Sequence, residues 1–68
     1  MADANGWAAE HGSDLEGLPA QDAEQRVRAA GLSPRTVVPE SVVTLEFRPD
    51  RITLHTDAHG RVTAVRPG

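Results

Sequence analysis

Two prolines, Pro39 and Pro49, bracket the most β-prone run of the chain, Ser41-Val42-Val43-Thr44-Leu45-Glu46-Phe47. Proline has no N–H to donate to a ladder, so it stays out of central strands and stands at their edges and ends. The apolar side chains of the run also occupy consecutive positions, whereas successive side chains of a strand point to opposite faces. The run therefore reads as an extended, exposed segment. The core of this 68-residue chain must then come from elsewhere.

A chain of this length makes one domain at most, and such domains are marginally stable without added help. Disulfides or a structural metal often supply it. This sequence has no Cys, so it can form no disulfide and offers no thiolate to zinc. The lack of Cys is compatible with a reducing compartment. The formal net charge is −3, and all seven basic residues are scattered arginines. A nucleic-acid surface needs clustered cations with interleaved aromatics, so that class is excluded from the expectation. No apolar run approaches the roughly 20 residues of a membrane span. The opening MADANGWAAEHGSD has no basic region followed by an apolar core, so no signal peptide is expected. A cytoplasmic protein and a mature secreted form both remain open.

Residues 1–14 are rich in Ala, Gly, Asp and Asn and show no clear period, which predicts a mobile N-terminal arm before a domain over 15–68. Trp7 either docks on the domain or stays exposed. From Pro19 the pattern turns helical, with Ala20, Ala23, Val27 and Ala30 on one face. Acidic residues come early and arginines late, as the helix dipole prefers. Gly31 suits the left-handed stop, and Ser33-Pro34 prevents a restart. The expected helix spans about 19–30. Arg35 to Val38 is a short β-rich run ended by Pro39. Asp50 to Thr56 alternates, with Ile52 and Leu54 on one face and Arg51, Thr53 and His55 on the other. Asp57 to Gly60 is a turn, and 61–66 alternates again with Val62 and Ala64 inward, so 50–56 and 61–66 form a hairpin. Burying Val37 requires the first strand to pair in parallel with 50–56, across a connection of about a dozen residues. The segment 39–49 meets that need. Connections this long in a small domain are usually functional or disordered. The expected fold class is α+β: one helix on a small mixed sheet, a parallel pair plus a C-terminal hairpin, with an exposed loop.

An exposed, extended, apolar loop held at both ends is what a protease cleft accepts, because such enzymes bind substrate as an added strand. A segment held in that shape beforehand loses little entropy on binding. Arg51 lies just past the loop, at the start of a strand. Its planar fork of donors is suited to bracing Thr44 and Glu46 together. Leu45 between them would then point outward.

The run VVTLEFRPDRITL resembles the potato inhibitor I family of serine-protease inhibitors. Val43, Thr44, Leu45, Glu46, Phe47, Arg48, Asp50 and Arg51 follow that family's loop pattern in order. The RPDR form and the ending VRPG are closer to a bacterial and fungal elastase-inhibitor branch of the same scaffold. The resemblance extends over residues 15–68. It implies a substrate-like inhibitor with its reactive bond between Leu45 and Glu46. Val42, Val43 and Thr44 would occupy the preceding subsites, and Phe47 and Arg48 the following ones. A Leu at that place resembles inhibitors of subtilisin-, chymotrypsin- and elastase-like enzymes. The sequence departs from the pattern twice. Thr53 stands where a second bracing Arg is common, and Pro67 stands where the bacterial branch usually carries one Cys of a pair.

Plainer readings compete. The run 41–47 could be a core strand, but Ser41 and Pro49 leave little room for one. Arg51 could be an ordinary surface residue. His55, Asp57 and His59 alternate and could gather a metal ion, but they sit at the hairpin tip, so no metal or other cofactor is expected. No nucleophile elbow or carboxylate pair is evident, so no enzyme is expected. The leading expectation is a monomeric serine-protease inhibitor. The alternative is a non-inhibitory interaction module that uses the same loop.

Overall fold

The computed structural model describes residues 3–40 and 48–68. Among them the chain runs α1 (Ala4–Leu15), α2 (Ala20–Ala29), β1 (Ser33–Val37), β2 (Arg51–Thr56) and β3 (Val62–Pro67). The sheet order is β1-β2-β3, with β2 central, parallel to β1 and antiparallel to β3. The α+β class, the parallel pair and the C-terminal hairpin are as expected from the sequence.

One expectation is corrected. Where the sequence predicts a mobile arm over 1–14, the chain forms α1, so two helices rather than one pack on the sheet. Asp3 caps α1, its carboxylate accepting from the Gly6 N–H at 2.6 Å. Ala4 and Leu15 are buried in the core, and Trp7 and Ala8 pack against it. Helix α1 lies on β3. Gly12 is buried there, and a Cβ on it would stand 3.4 Å from the Val65 Cβ. The helix hides in the sequence because Asn5, Gly6 and Gly12 are weak helix formers. Tertiary burial outweighs that local preference.

Helix α2 starts and ends within one residue of the prediction. Its buried face is Ala23 and Val27, and it packs on β1 and β2. It ends in a Schellman motif. Leu32 N–H donates to the Val27 carbonyl and Gly31 N–H to the Arg28 carbonyl, with Gly31 at φ 81°. Leu32 then turns into the core.

Ile52 and Leu54 on β2 are fully buried beneath the helices. Strand β3 departs from simple alternation. His55 pairs with Ala64 but Thr56 pairs with Val62, so Thr63 is an extra residue on β3. Such a bulge shifts the side-chain phase by one. Val62 is therefore buried, and Val65, rather than Ala64, packs against the core. The hairpin tip is fixed by Asp57, whose carboxylate accepts from the His59 and Arg61 N–H groups at 2.8 and 3.1 Å. Those two backbone bonds hold its pKa below the ordinary value of 3.8.

Candidate functional site

The expected reactive segment lies in the connection between β1 and β2, and residues 41–47 of it fall outside the described residues. That includes Val42, Val43, Thr44, Leu45, Glu46 and Phe47. The two stems of the connection, Arg51 and Thr53 are described.

The entry stem leaves β1 at Val37, which is buried, and Val38 is already 49% exposed. Pro39 and Glu40 follow in a solvent-exposed turn. The exit stem is a tight turn over 48–51, closed by the Arg51 N–H donating to the Arg48 carbonyl at 3.2 Å. Pro49 takes the second position of that turn, where its fixed φ is favourable. Arg48 is exposed and pairs with Asp50 at 3.5 Å, an ion pair whose value in water is small.

Three consecutive carbonyls of the exit turn accept from three different places. Arg48 O accepts from Arg51 at the head of β2, and Asp50 O accepts from Ser33 at the head of β1, at 2.9 Å. Pro49 O accepts from Ala4, the first residue of α1, at 3.2 Å. The turn is thus joined to both parallel strands and to the helix that the sequence conceals.

Arg51 is half-buried at the start of β2. Thr53 is buried at 8% exposure, and its hydroxyl donates to the Gly68 carbonyl. Gly68 N–H in turn donates to the Arg51 carbonyl at 2.6 Å. Among the described residues, then, the Thr53 hydroxyl serves the end of β3. Sequence reasoning missed this link because a lone Gly after Pro67 carries no signal of its own. It also missed the Ala4–Pro49 link. Asp3 followed by the apolar spacing Ala4, Ala8, Leu15 was the available clue to both the helix and its starting point.

Among the described residues no group of three or more His, Cys, Asp or Glu side chains is placed to hold a metal ion. Asp57 spends an oxygen on the hairpin turn, and His59 supplies its backbone rather than its ring to that contact.

This architecture is shared by solved small inhibitor proteins. The chain is similar to bitter gourd trypsin inhibitor, at 21% identity and a TM-score of 0.70, covering 81% of this chain and 85% of that one. It is also similar to the elastase inhibitor AFUEI, at 18% identity and a TM-score of 0.70, covering 90% and 88%. These likenesses establish the fold. The class of protein, a peptidase inhibitor, is given by a family model instead. More specifically, the model of the peptidase inhibitor I78 family matches residues 3–68, and the chain belongs to that family. The match begins at the Asp3 cap, so α1 is inside the family's domain rather than outside it. No curated protein sequence matches the chain.

Proposed function

We propose that this protein is a reversible, substrate-like inhibitor of serine proteases and that it presents the Leu45–Glu46 bond to the enzyme. Its targets are subtilisin-, chymotrypsin- or elastase-like. The observation that carries this reading is that the connection whose sequence holds VVTLEF joins two adjacent parallel strands, and that its exit turn is hydrogen-bonded to both strands and to α1. A connection anchored in this way suits an extended segment offered in advance, which lowers the entropy lost on binding. The resemblance of the run to potato inhibitor I loops and the membership of an inhibitor family support the same reading.

In this proposal Val42, Val43 and Thr44 lie along the non-primed side of the cleft as an added strand, with Phe47 and Arg48 on the primed side. Leu45 fills the main specificity pocket. One structural neighbour is named for trypsin and one for elastase. A trypsin-like pocket selects a cation, so the apolar Leu45 favours the second kind of enzyme. Arg51 braces Thr44 and Glu46 from beneath. Thr53 acts one step removed, by holding Gly68 against the Arg51 backbone. When the catalytic serine attacks the Leu45 carbonyl, the anchored stem keeps the new amino group of Glu46 beside the acyl-enzyme. The amine then attacks the ester carbonyl and the peptide bond re-forms. The interface would be of standard size, roughly 1,600 Å² in total.

The test is steady-state inhibition of subtilisin, chymotrypsin and pancreatic elastase by the purified chain, followed by intact-mass analysis. The expected result is tight inhibition with one slow cut after Leu45. An uncut chain that inhibits none of the three would overturn the proposal and favour the interaction module. Rapid digestion at many sites would show that the loop is not held.

A further inference from the structure

Resting on the inhibitor reading, we infer that α1 is a positioning element of the reactive loop and that the Ala4 N–H is the group through which it acts. The first N–H groups of a helix have no partner inside the helix. In α1 the Asp3 carboxylate takes the Gly6 N–H, while the Ala4 N–H reaches out of the helix to the Pro49 carbonyl. The positive end of the helix dipole thus faces a carbonyl of the exit turn, a favourable arrangement. That carbonyl lies two residues before β2, on the side of the connection that carries the new amino terminus after a cut at Leu45–Glu46.

The other end of the lever is equally fixed. Ala4 is buried at 1% exposure, so the start of α1 cannot swing without uncovering the core. Gly12 seats the middle of the helix on Val65. Past Leu15, the Gly17 N–H donates to the Val62 carbonyl at 2.8 Å and the Val62 N–H donates to the Leu18 carbonyl at 2.9 Å. Helix α1 therefore spans from the start of β3 to the exit of the loop and transmits the rigidity of the hairpin to the stem. In a chain without Cys this is a non-covalent tie between the N-terminal region and the loop.

The geometry permits a clean test. Ala4 is the first helical residue, where proline is tolerated because the helix makes no use of that N–H. Asp3 sits at φ −105° and ψ 165°, the extended conformation that a residue preceding proline requires. Ala4→Pro therefore deletes the donor and leaves the helix its cap. Ala4→Gly keeps the donor and serves as the control. Asp3→Ala, which frays the first turn without removing the donor, is the second variant should the proline ring be too large for the buried site. Val27→Ala, in the α2 core, controls for stability lost away from the loop.

Two readouts are taken on each variant: the rate of loop cleavage by an inhibited protease, and NMR exchange of the Arg51 and Ser33 amides that hold the same turn. With Ala4→Pro, both are expected to rise by about fivefold, the worth of one hydrogen bond, with Asp3→Ala intermediate and Ala4→Gly within about twofold of wild type. Val27→Ala should not accelerate the loop cut selectively. Unchanged cleavage and exchange in both Ala4→Pro and Asp3→Ala would overturn the inference. If the wild-type chain inhibits no protease, the inhibitor reading fails by itself, and the amide exchange still decides whether α1 holds the turn.

Discussion

Leu45 and Arg51 divide the work proposed for the loop between specificity and support, so each should fail in its own way when replaced. Leu45→Arg is expected to shift preference toward trypsin-like enzymes by roughly tenfold or more, read as a ratio of inhibition constants between trypsin and chymotrypsin. Arg51→Ala is expected to leave the chain folded and to turn a slow cut into a fast one, by on the order of tenfold for lost charge-assisted hydrogen bonds. Cleavage as slow as in wild type would remove the bracing role. Asp57 offers a prediction that does not depend on the loop. The N–H groups of Arg61 and His59 hold its folded-state pKa below 3.8, the ordinary value. Its contribution is therefore fully present above that value and is lost as pH falls through the lower, folded-state value. An NMR titration should show the His59 and Arg61 amides moving together with the carboxylate in that acid range, and Asp57→Asn should abolish the linked change.

At the scale of the element, α1 and α2 solve the same end problem with different neighbours. The Ala4 N–H finds Pro49 O beside the head of β2, and the Ala20 N–H finds Gly60 O, at 2.9 Å, in the turn beyond its other end. Each connection of the central strand is thereby joined to the start of a helix. The two glycines of α1 are not equivalent. At Gly12 a Cβ meets Val65 at 3.4 Å, which is ordinary contact, while at Gly6 it meets the capping oxygen of Asp3 at 3.0 Å. Gly12→Ala is therefore expected to stabilise the protein by about 0.5–1 kcal/mol through helix propensity. Gly6→Ala should gain less, because the cap must shift. Urea denaturation of both variants checks the contrast. Helix α2 was legible in the sequence because period, dipole and stop signal agree over 19–31. Helix α1 was not, because its two glycines and Asn5 lower the local preference that a reader weighs first.

For the whole molecule the controlling fact is how small the core is among the described residues. Ile52 and Leu54 on β2 carry its centre, with Leu15, Val27 and Val62 around them. Leu54→Ala is expected to cost about 2–5 kcal/mol, against a total stability of about 3–10 kcal/mol for a chain of this length. Denaturant unfolding should show a large fall in midpoint or a chain already unfolded in buffer. A loss below 1 kcal/mol would mean that the core closes over the gap. With so small a margin and no disulfide, polar links across the elements matter: Thr36 to Glu24 between β1 and α2, Thr56 to the Val37 carbonyl at 3.0 Å, and Thr53 to Gly68.

The sequence by itself determined the strands, the parallel pairing of β1 with β2, the hairpin and the second helix. Those features are written in side-chain period, in turn residues and in two prolines that act on their own neighbours. It also raised the expectation of an exposed loop between Pro39 and Pro49, whose residues 41–47 lie outside the described ones. Only the tertiary structure decided that residues 4–15 are a helix, that the bulge at Thr63 turns Val65 inward, and that Pro49, Thr53 and Gly68 are hydrogen-bonded where they are. Each of these depends on a partner far away in the chain. A backbone donor at Ala4 or a carbonyl at Gly68 has no side-chain signature, and its place is set by the packing that brings the distant segment to it.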